Sequence, residues 1–234
     1  MSMRYFTKAE MQEIDQMVIH NFHISPFIML ENAGKSLAVI AREVLKKNVY
    51  NKNILVLVGK GNNGAGGLIA SRHLSNWGAN VEVLSFFPSN DLKTNVKSQL
   101  QIIDNMKISI TNNINNYNYD LIIDSIFGCN FKPPSSIPMN NLINRINESK
   151  IFIMSLDLPS CLDADDGIVY DVTIKSNLTL TLGFPKKGLF NLESRKYVGE
   201  LYLADISIPN AVYSKFGINS NEFFSKTFIS KLNY

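Results

Sequence analysis

Asn53-Ile-Leu-Val-Leu-Val-Gly59, continuing as Lys60-Gly-Asn-Asn-Gly-Ala-Gly-Gly67, is where the architecture of this chain can first be read. The apolar run has the length of a strand buried on both faces, as parallel sheets require. The glycine-rich turn comes next, and Leu68 to Trp77 then reads as a helix. Gly78 closes that helix and Val81-Glu-Val-Leu-Ser-Phe86 supplies the next strand, completing a βαβ unit.

Outward from that unit the pattern repeats. Apolar runs at Leu121 to Ile123, Ile151 to Leu156, Leu178 to Leu182 and Leu201 to Ile206 are further strands. Lys93 to Met106 and Asn140 to Ser149 read as helices between them. Upstream, Met11, Ile14, Val18, Leu30, Leu37, Ile40 and Val44 recur at helical spacing behind a Thr7/Glu10 capping-box pattern, and Pro26 divides the stretch into two helices. The Asn-rich segment Thr111 to Tyr119 reads as a polar surface connection. With no linker and no repeat, the expectation is one α/β domain over residues 1–234. Its fold class is a Rossmann-like three-layer α/β/α sandwich with a mostly parallel sheet and an N-terminal helical pair.

Composition narrows the function. Of 234 residues 45% are apolar and 18% charged, which argues against disorder and against a coiled coil. The net charge of +3 comes from scattered lysines and arginines, so nucleic acid is not expected as a partner. No apolar run of membrane length and no signal-peptide core occur, pointing to a cytoplasmic protein with an organelle left open. Cys129 and Cys161 cannot build a disulfide framework.

Three strand ends carry chemistry. The loop Gly59 to Gly67 offers free N–H groups at a helix start, which favours phosphate, and it meets the G-x-G-x-x-G spacing at Gly59, Gly61 and Gly64. The alternative is a glycine-rich turn with no ligand; Asn62 and Asn63 favour a ligand because their side-chain carbonyls can bind a cation or an amide. Asp124-Ser-Ile-Phe-Gly128 ends another strand at the rim where such sheets bind ligands, with a helix cap as the alternative. Asp157-Leu-Pro-Ser160 ends a third, its carboxyl partly desolvated beside Leu156 and Pro159 and suited to acid–base work. Asp163, Asp165 and Asp166 shape a turn before Gly167 and match no cation loop. His20, His23 and His73 lack metal spacing, and Ser160 lacks a hydrolase elbow. Lys186 and Lys187 either reach a phosphate or face solvent.

Taken in order, these pieces resemble the NAD(P)H-hydrate epimerase family, the YjeF N-terminal domain. The resemblance runs through Met11 and Asp15, Met29-Leu-Glu-Asn-Ala-Gly34, the loop from Gly59 to Gly67 with Arg72-His-Leu74, Asp124 to Gly128, Asp157 to Ser160, and Thr181-Leu-Gly-Phe-Pro-Lys-Lys-Gly188. It implies a homodimeric isomerase that interconverts the R and S forms of hydrated NADH or NADPH at C6. A dehydratase carried on a separate chain would be its pathway partner.

The resemblance also implies a potassium ion held by Asn63, Asp124 and Ser160. It places substrate against Asn62, Asn63, Gly64, Ala65 and Gly66, against Gly128, Cys129, Asn130, Phe131, Lys132, Pro133 and Pro134, and against Asp157, which is the catalytic acid–base. The sequence departs from the family at Gly66, where an aspartate is usual, and at Ala65, expected to restrict a position free to take positive φ. Further departures are Cys161 in place of glycine and the stiffer Lys132-Pro-Pro134. A scaffold or nucleotide- or RNA-binding descendant is the alternative reading. An ordinary NAD(P) dehydrogenase is excluded because Val83-Leu-Ser-Phe-Phe-Pro88 has no ribose-binding acid.

Overall fold

The computed structural model describes residues 4–114, 117–133, 135–170 and 172–233. Two helices, α1 (Lys8–Phe22) and α2 (Pro26–Val44), precede the sheet. There follow β1 (Asn53–Val58), α3 (Asn62–Asn76), β2 (Asn80–Ser85), α4 (Thr94–Asn105), β3 (Ser109–Thr111), β4 (Leu121–Ser125), α5 (Ile137–Glu148) and β5 (Ile153–Leu156). The last third holds β6 (Leu178–Leu182), α6 (Arg195–Val198), β7 (Glu200–Ala204), α7 (Asn210–Lys215), α8 (Asn221–Phe224) and β8 (Ile229–Leu232). The strands form one eight-stranded sheet in the order β3-β2-β1-β4-β5-β6-β7-β8, and only β8 runs antiparallel. Strand order reverses between β1 and β4, the position at which such sheets open a crevice beyond their carboxyl ends.

The α/β sandwich with its leading helical pair is therefore as expected. One sheet face packs with α2, α3 and α4 around Leu37, Val56, Leu68, Leu74 and Val96. The other packs with α5 around Leu55, Ile122, Ile143 and Ile146. No helix of the described residues is long and apolar enough to cross a membrane. β3 and β8 were not legible: each is a short edge strand, β3 exposes Ser109 and Ile110, and neither repeats the apolar run of the interior strands.

The N-terminal helices have local causes. The Thr7 hydroxyl accepts the Glu10 N–H while the Glu10 carboxylate takes the Thr7 N–H at 2.9 Å, so the capping box is real. His23 in the left-handed region ends α1, and Ser25 with Pro26 restarts the chain as α2. Met11, Ile14 and Val18 bury against Met29, Ala33, Phe184 and Tyr213. Phe6 then bonds across to the segment after β6, its N–H to Pro185 O and its carbonyl from Lys187 N, both 2.9 Å. That bridge brings α1 over the strand tips.

One boundary differs in a way that matters to function. α3 begins at Asn62 rather than at Leu68, so Gly64, Ala65, Gly66 and Gly67 are helical rather than parts of a loop. These glycines answer a steric demand. A Cβ on Gly64 would lie 2.0 Å from Gly59 O, and one on Gly67 2.0 Å from Ser125 Oγ. The expected penalty at Ala65 is corrected too: Ala65 lies in the first helical turn, buried, without positive φ, where alanine is the best helix former.

Candidate active site

The carboxyl ends of β1, β4 and β5 meet under α1 and α2 around a cleft of about 320 Å³. Lys8, Met11, Gln12 and Asp15 of α1 and Met29, Leu30 and Ala33 of α2 form its helical wall. Gly61 to Asn63, Ile126 to Phe131, Leu156, Asp157 and Lys186 form the wall beneath.

Asp157 directly follows β5 and takes φ 68°, a left-handed conformation that aspartate tolerates better than most side chains. Its N–H donates to Leu180 O at 2.8 Å, which fixes the turn, and its Oδ2 accepts the Cys129 N–H at 2.8 Å. The side chain is nearly buried. The ammonium of Lys186, fully buried itself, stands 2.8 Å from Oδ1 while donating to Leu182 O at 2.6 Å. Oδ1 has no well-aligned donor, so its contact with Lys186 is a charge pairing more than a hydrogen bond. This resolves the open reading of the two lysines: Lys187 is exposed, and Lys186 neither faces solvent nor is set aside for a phosphate but pairs with Asp157.

Asp124, in β4, is completely buried. Its carboxylate accepts the Ser160 hydroxyl at 2.5 Å, the Ser155 hydroxyl at 2.8 Å and the peptide N–H groups of Ser160 and Ile126. Ser160 in turn accepts the Phe127 N–H at 3.0 Å. All four partners of Asp124 are neutral, and burial pushes its carboxyl above the usual range against the pull of those hydrogen bonds. The helix-cap alternative fails, because these bonds tie β4 to β5 and the loop after it.

Asn63, in the first turn of α3, turns toward Gly128 and Asp157. Its Nδ2 is buried without a partner, and a Cβ on Gly128 would lie 3.2 Å from Asn63 Oδ1 and 2.9 Å from Asp157 Oδ2. Gly128 is thus the point at which the α3 and β5 tips converge. An amide oxygen, a carboxylate without a charged partner and a hydroxyl are donor types that a hard monovalent cation takes; Asp124 and Ser160 are bonded to each other, and Asn63 stands beside Gly128 and Asp157.

Of the other residues expected against substrate, Asn62, Cys129, Asn130 and Phe131 line the cleft, whereas Gly64, Ala65 and Gly66 sit behind it inside α3. Gly66 is buried, with Leu156 Cδ2 2.7 Å from where its Cβ would be. Lys132 and Pro133 are exposed and outside the cleft, and Pro134 lies outside the described residues. Asp163 does shape its turn, accepting the Asp165 N–H at 2.7 Å, and its ion pair with Lys8 at 2.6 Å also holds α1. His73 and Arg72 pair with Glu31, clamping α2 to α3. Among the described residues no cluster of histidine, cysteine or acid is arranged for a metal.

Several cleft residues went without a role in the reading from sequence, among them Lys8 and Gln12 of α1 and two lysines at the cleft edge. Lys60 and Lys93 stand at the mouth, joined by Lys93 N–H to Lys60 O at 2.9 Å. Lys60 sits inside the glycine-rich loop read as a phosphate site, whereas Lys93 lies in an irregular polar connection and gives little signal. Burial, reinforced by the nearby Asp157 charge, drives the Cys129 thiol up to about 12.

Comparison with known proteins identifies the family. The NAD(P)H-hydrate epimerase of Dehalogenimonas lykanthroporepellens is 32% identical over 216 residues, 92% of this chain and 86% of that one. The NAD(P)H-hydrate epimerase of Entamoeba histolytica is 28% identical over 86% of this chain and 89% of its own length. The bifunctional NAD(P)H-hydrate repair enzyme Nnr of Moorella thermoacetica is 32% identical over 87% of this chain, which spans 40% of that larger protein. The yeast protein YNL200c shares the fold with a TM-score of 0.85 at 24% identity, over 98% of this chain and 100% of that structure. A family model described as YjeF-related protein N-terminus matches residues 26–188, from the start of α2 through the Lys186 segment, and the chain belongs to that family.

Proposed function

We propose that this protein is an NAD(P)H-hydrate epimerase, an isomerase that interconverts the R and S forms of hydrated NADH or NADPH at C6. The observation that carries the reading is the Asp157 carboxylate, sunk in a cleft beside a buried ammonium 2.8 Å away and next to the first turn of α3. The names of the relatives from Dehalogenimonas and Entamoeba support the same activity.

The chemistry follows from the substrate. C6 carries a hydroxyl and is bonded to the ring nitrogen, whose lone pair expels the hydroxyl once an acid supplies a proton. The resulting cation takes water back on either face. Asp157 handles that proton, and the anionic carboxylate left behind stabilises the cation. The unpaired N–H groups at the start of α3 suit the pyrophosphate, with Lys60 and Lys93 at the cleft mouth. Asn63, Asp124 and Ser160 would hold a potassium ion, a reading supported by the buried Asp124 carboxylate, whose hydrogen-bond partners are all neutral. When bound, potassium would supply positive charge that offsets the negative charge of the phosphates. The homodimer implied by the resemblance is part of the same proposal and is checked by light scattering.

Retention of Asp157 in the cleft, paired with Lys186, and of Asp124 bonded to Ser160 favours an enzyme over a scaffold descendant. The test is a coupled assay. R-form NADH hydrate is incubated with an S-specific dehydratase, and recovery of NADH is followed with and without this protein. Acceleration is the expected result. No acceleration at any potassium concentration, from a folded protein, refutes the activity.

A further inference from the structure

Inverting a carbon by losing and regaining water is a two-sided problem. The hydroxyl leaves on one face of the ring and water returns on the other, and each side needs a group that handles a proton. Asp157 projects from the wall made by the strand tips and reaches one side.

Asp15 comes from the other wall. With Lys8, Met11 and Gln12 it forms the face of α1 that lines the cleft, at the helical spacing that puts these positions on one side. Its carboxyl is half-buried and makes no hydrogen bond or ion pair among the described residues, although it feels the charges of both Lys186 and Asp157. Nothing in the packing of α1 uses it: the helix buries Met11, Ile14 and Val18 instead. Burial holds the Asp15 carboxyl above the ordinary range, with Asp157 adding to the effect and Lys186 opposing it. The Lys186 ammonium is paired with Asp157, which leaves the Asp15 carboxyl facing the cleft without a salt-bridge partner among the described residues.

We propose that Asp15 is a second catalytic carboxyl, serving the face of the nicotinamide ring opposite to Asp157. The inference rests on the epimerase reading. In one direction the Asp157 carboxyl gives its proton to the C6 hydroxyl as the C–O bond breaks. The bonding pair leaves with the oxygen as water, and the ring nitrogen's lone pair forms the C=N bond. Water then adds to C6 from the far side, its lone pair makes the new C–O bond, the C=N pair returns to nitrogen, and Asp15 takes the proton. The reverse reaction moves the proton back, and exchange with solvent resets the pair between turnovers in the same direction.

The test uses the full chain, both epimers of NADH hydrate and isotopically labelled water. In wild type each inversion installs one solvent oxygen. Asp15→Asn is expected to lower inversion at least about 100-fold. It should still exchange the oxygen of one epimer without inverting it, through Asp157, while Asp157→Asn does the same for the other epimer. Inversion by Asp15→Asn within about threefold of wild type overturns the proposal, and so does loss of oxygen exchange in both epimers. Thermal melting establishes that the variant is folded, and Asp15→Ser carries the same readouts if Asp15→Asn is not. A wild-type protein that does not epimerise marks failure of the enzyme reading itself, a result distinct from any of these.

Discussion

At the residue scale the site is a set of left-handed and buried exceptions. Asp157 at φ 68° and Cys161 at φ 74° bracket Leu158 to Ser160, so the chain after β5 turns twice, pointing the Asp157 carboxyl into the cleft and the Ser160 hydroxyl at Asp124. Asparagine accepts the left-handed region at least as well as aspartate, so Asp157→Asn preserves the backbone and removes the charge. We expect turnover to fall about 100- to 10,000-fold with substrate affinity nearly intact, read from kcat and KM in the coupled assay. Cys161 is a separate matter, because its side chain is buried in the α5 side of the core while its backbone favours glycine. Glycine at this position trades lost packing against relief of about 1 kcal/mol of strain, whereas alanine loses the packing and keeps the strain. Cys161→Gly should therefore melt above Cys161→Ala, the reverse of the usual order; the opposite ranking in thermal melts would show that φ is not the controlling term.

At the element scale, α3 carries the site because its first turn can approach the strand tips closely. Ser125 Oγ donates to Leu57 O at 2.7 Å and leaves no room beside Gly67. Gly67→Ala forces the helix off β4, which at the upper end of overpacking costs about 3 kcal/mol and lowers Tm by about 6–12 °C. Ala65→Gly in the same helix should cost only about 1 kcal/mol, the ordinary loss of helix propensity. Differential scanning calorimetry on the two variants separates steric from conformational roles for this glycine run. The distinction also marks what was legible beforehand. A strand, a glycine run and a helix were plain in the order of residues 53–77, as were the polar tips Asp124 and Asp157 after apolar runs. Where the helix began was not, because glycines read as a loop until the neighbouring atoms are known. The pairing of Lys186 with Asp157 was hidden for a related reason: 29 positions separate them in the chain, and only the register of β5 beside β6 makes them neighbours.

At the scale of the whole molecule, the N-terminal layer is a separately fastened wall of the active site. Phe6 bridges to the Pro185–Lys187 segment, the Lys8 ammonium pairs with Asp163, and the Lys8 N–H donates to Asp165 at 2.6 Å. These fastenings run from α1 to two different strand-tip loops, so α1 stays over the cleft only while they hold. Asp163 is the acid-sensitive one. Burial alone would raise its carboxyl, but the hydrogen bond from Lys8 and the N–H groups of Asp165 and Asp166 outweigh burial and hold it below the usual carboxylate range. Glu10 is also lowered, first by the Thr7 N–H and then by Arg4, and it caps the same helix. A carboxyl depressed by folding contributes stability that is present above its unfolded pKa of about 4 and is lost as pH falls through its folded value. Stability should thus begin to decline as pH drops through about 4 and keep falling until the depressed folded values of Asp163 and Glu10 are passed, and α1 should loosen as these anchors protonate. Asp163→Asn keeps an oxygen for the two turn N–H groups but removes the charge facing Lys8, so it should start less stable at pH 7 and lose less on acidification. Urea titrations at pH 7 and pH 4, with hydrogen exchange of the α1 amides, read both effects; equal acid sensitivity in the variant and wild type would mean that the Lys8 clamp does not hold the wall.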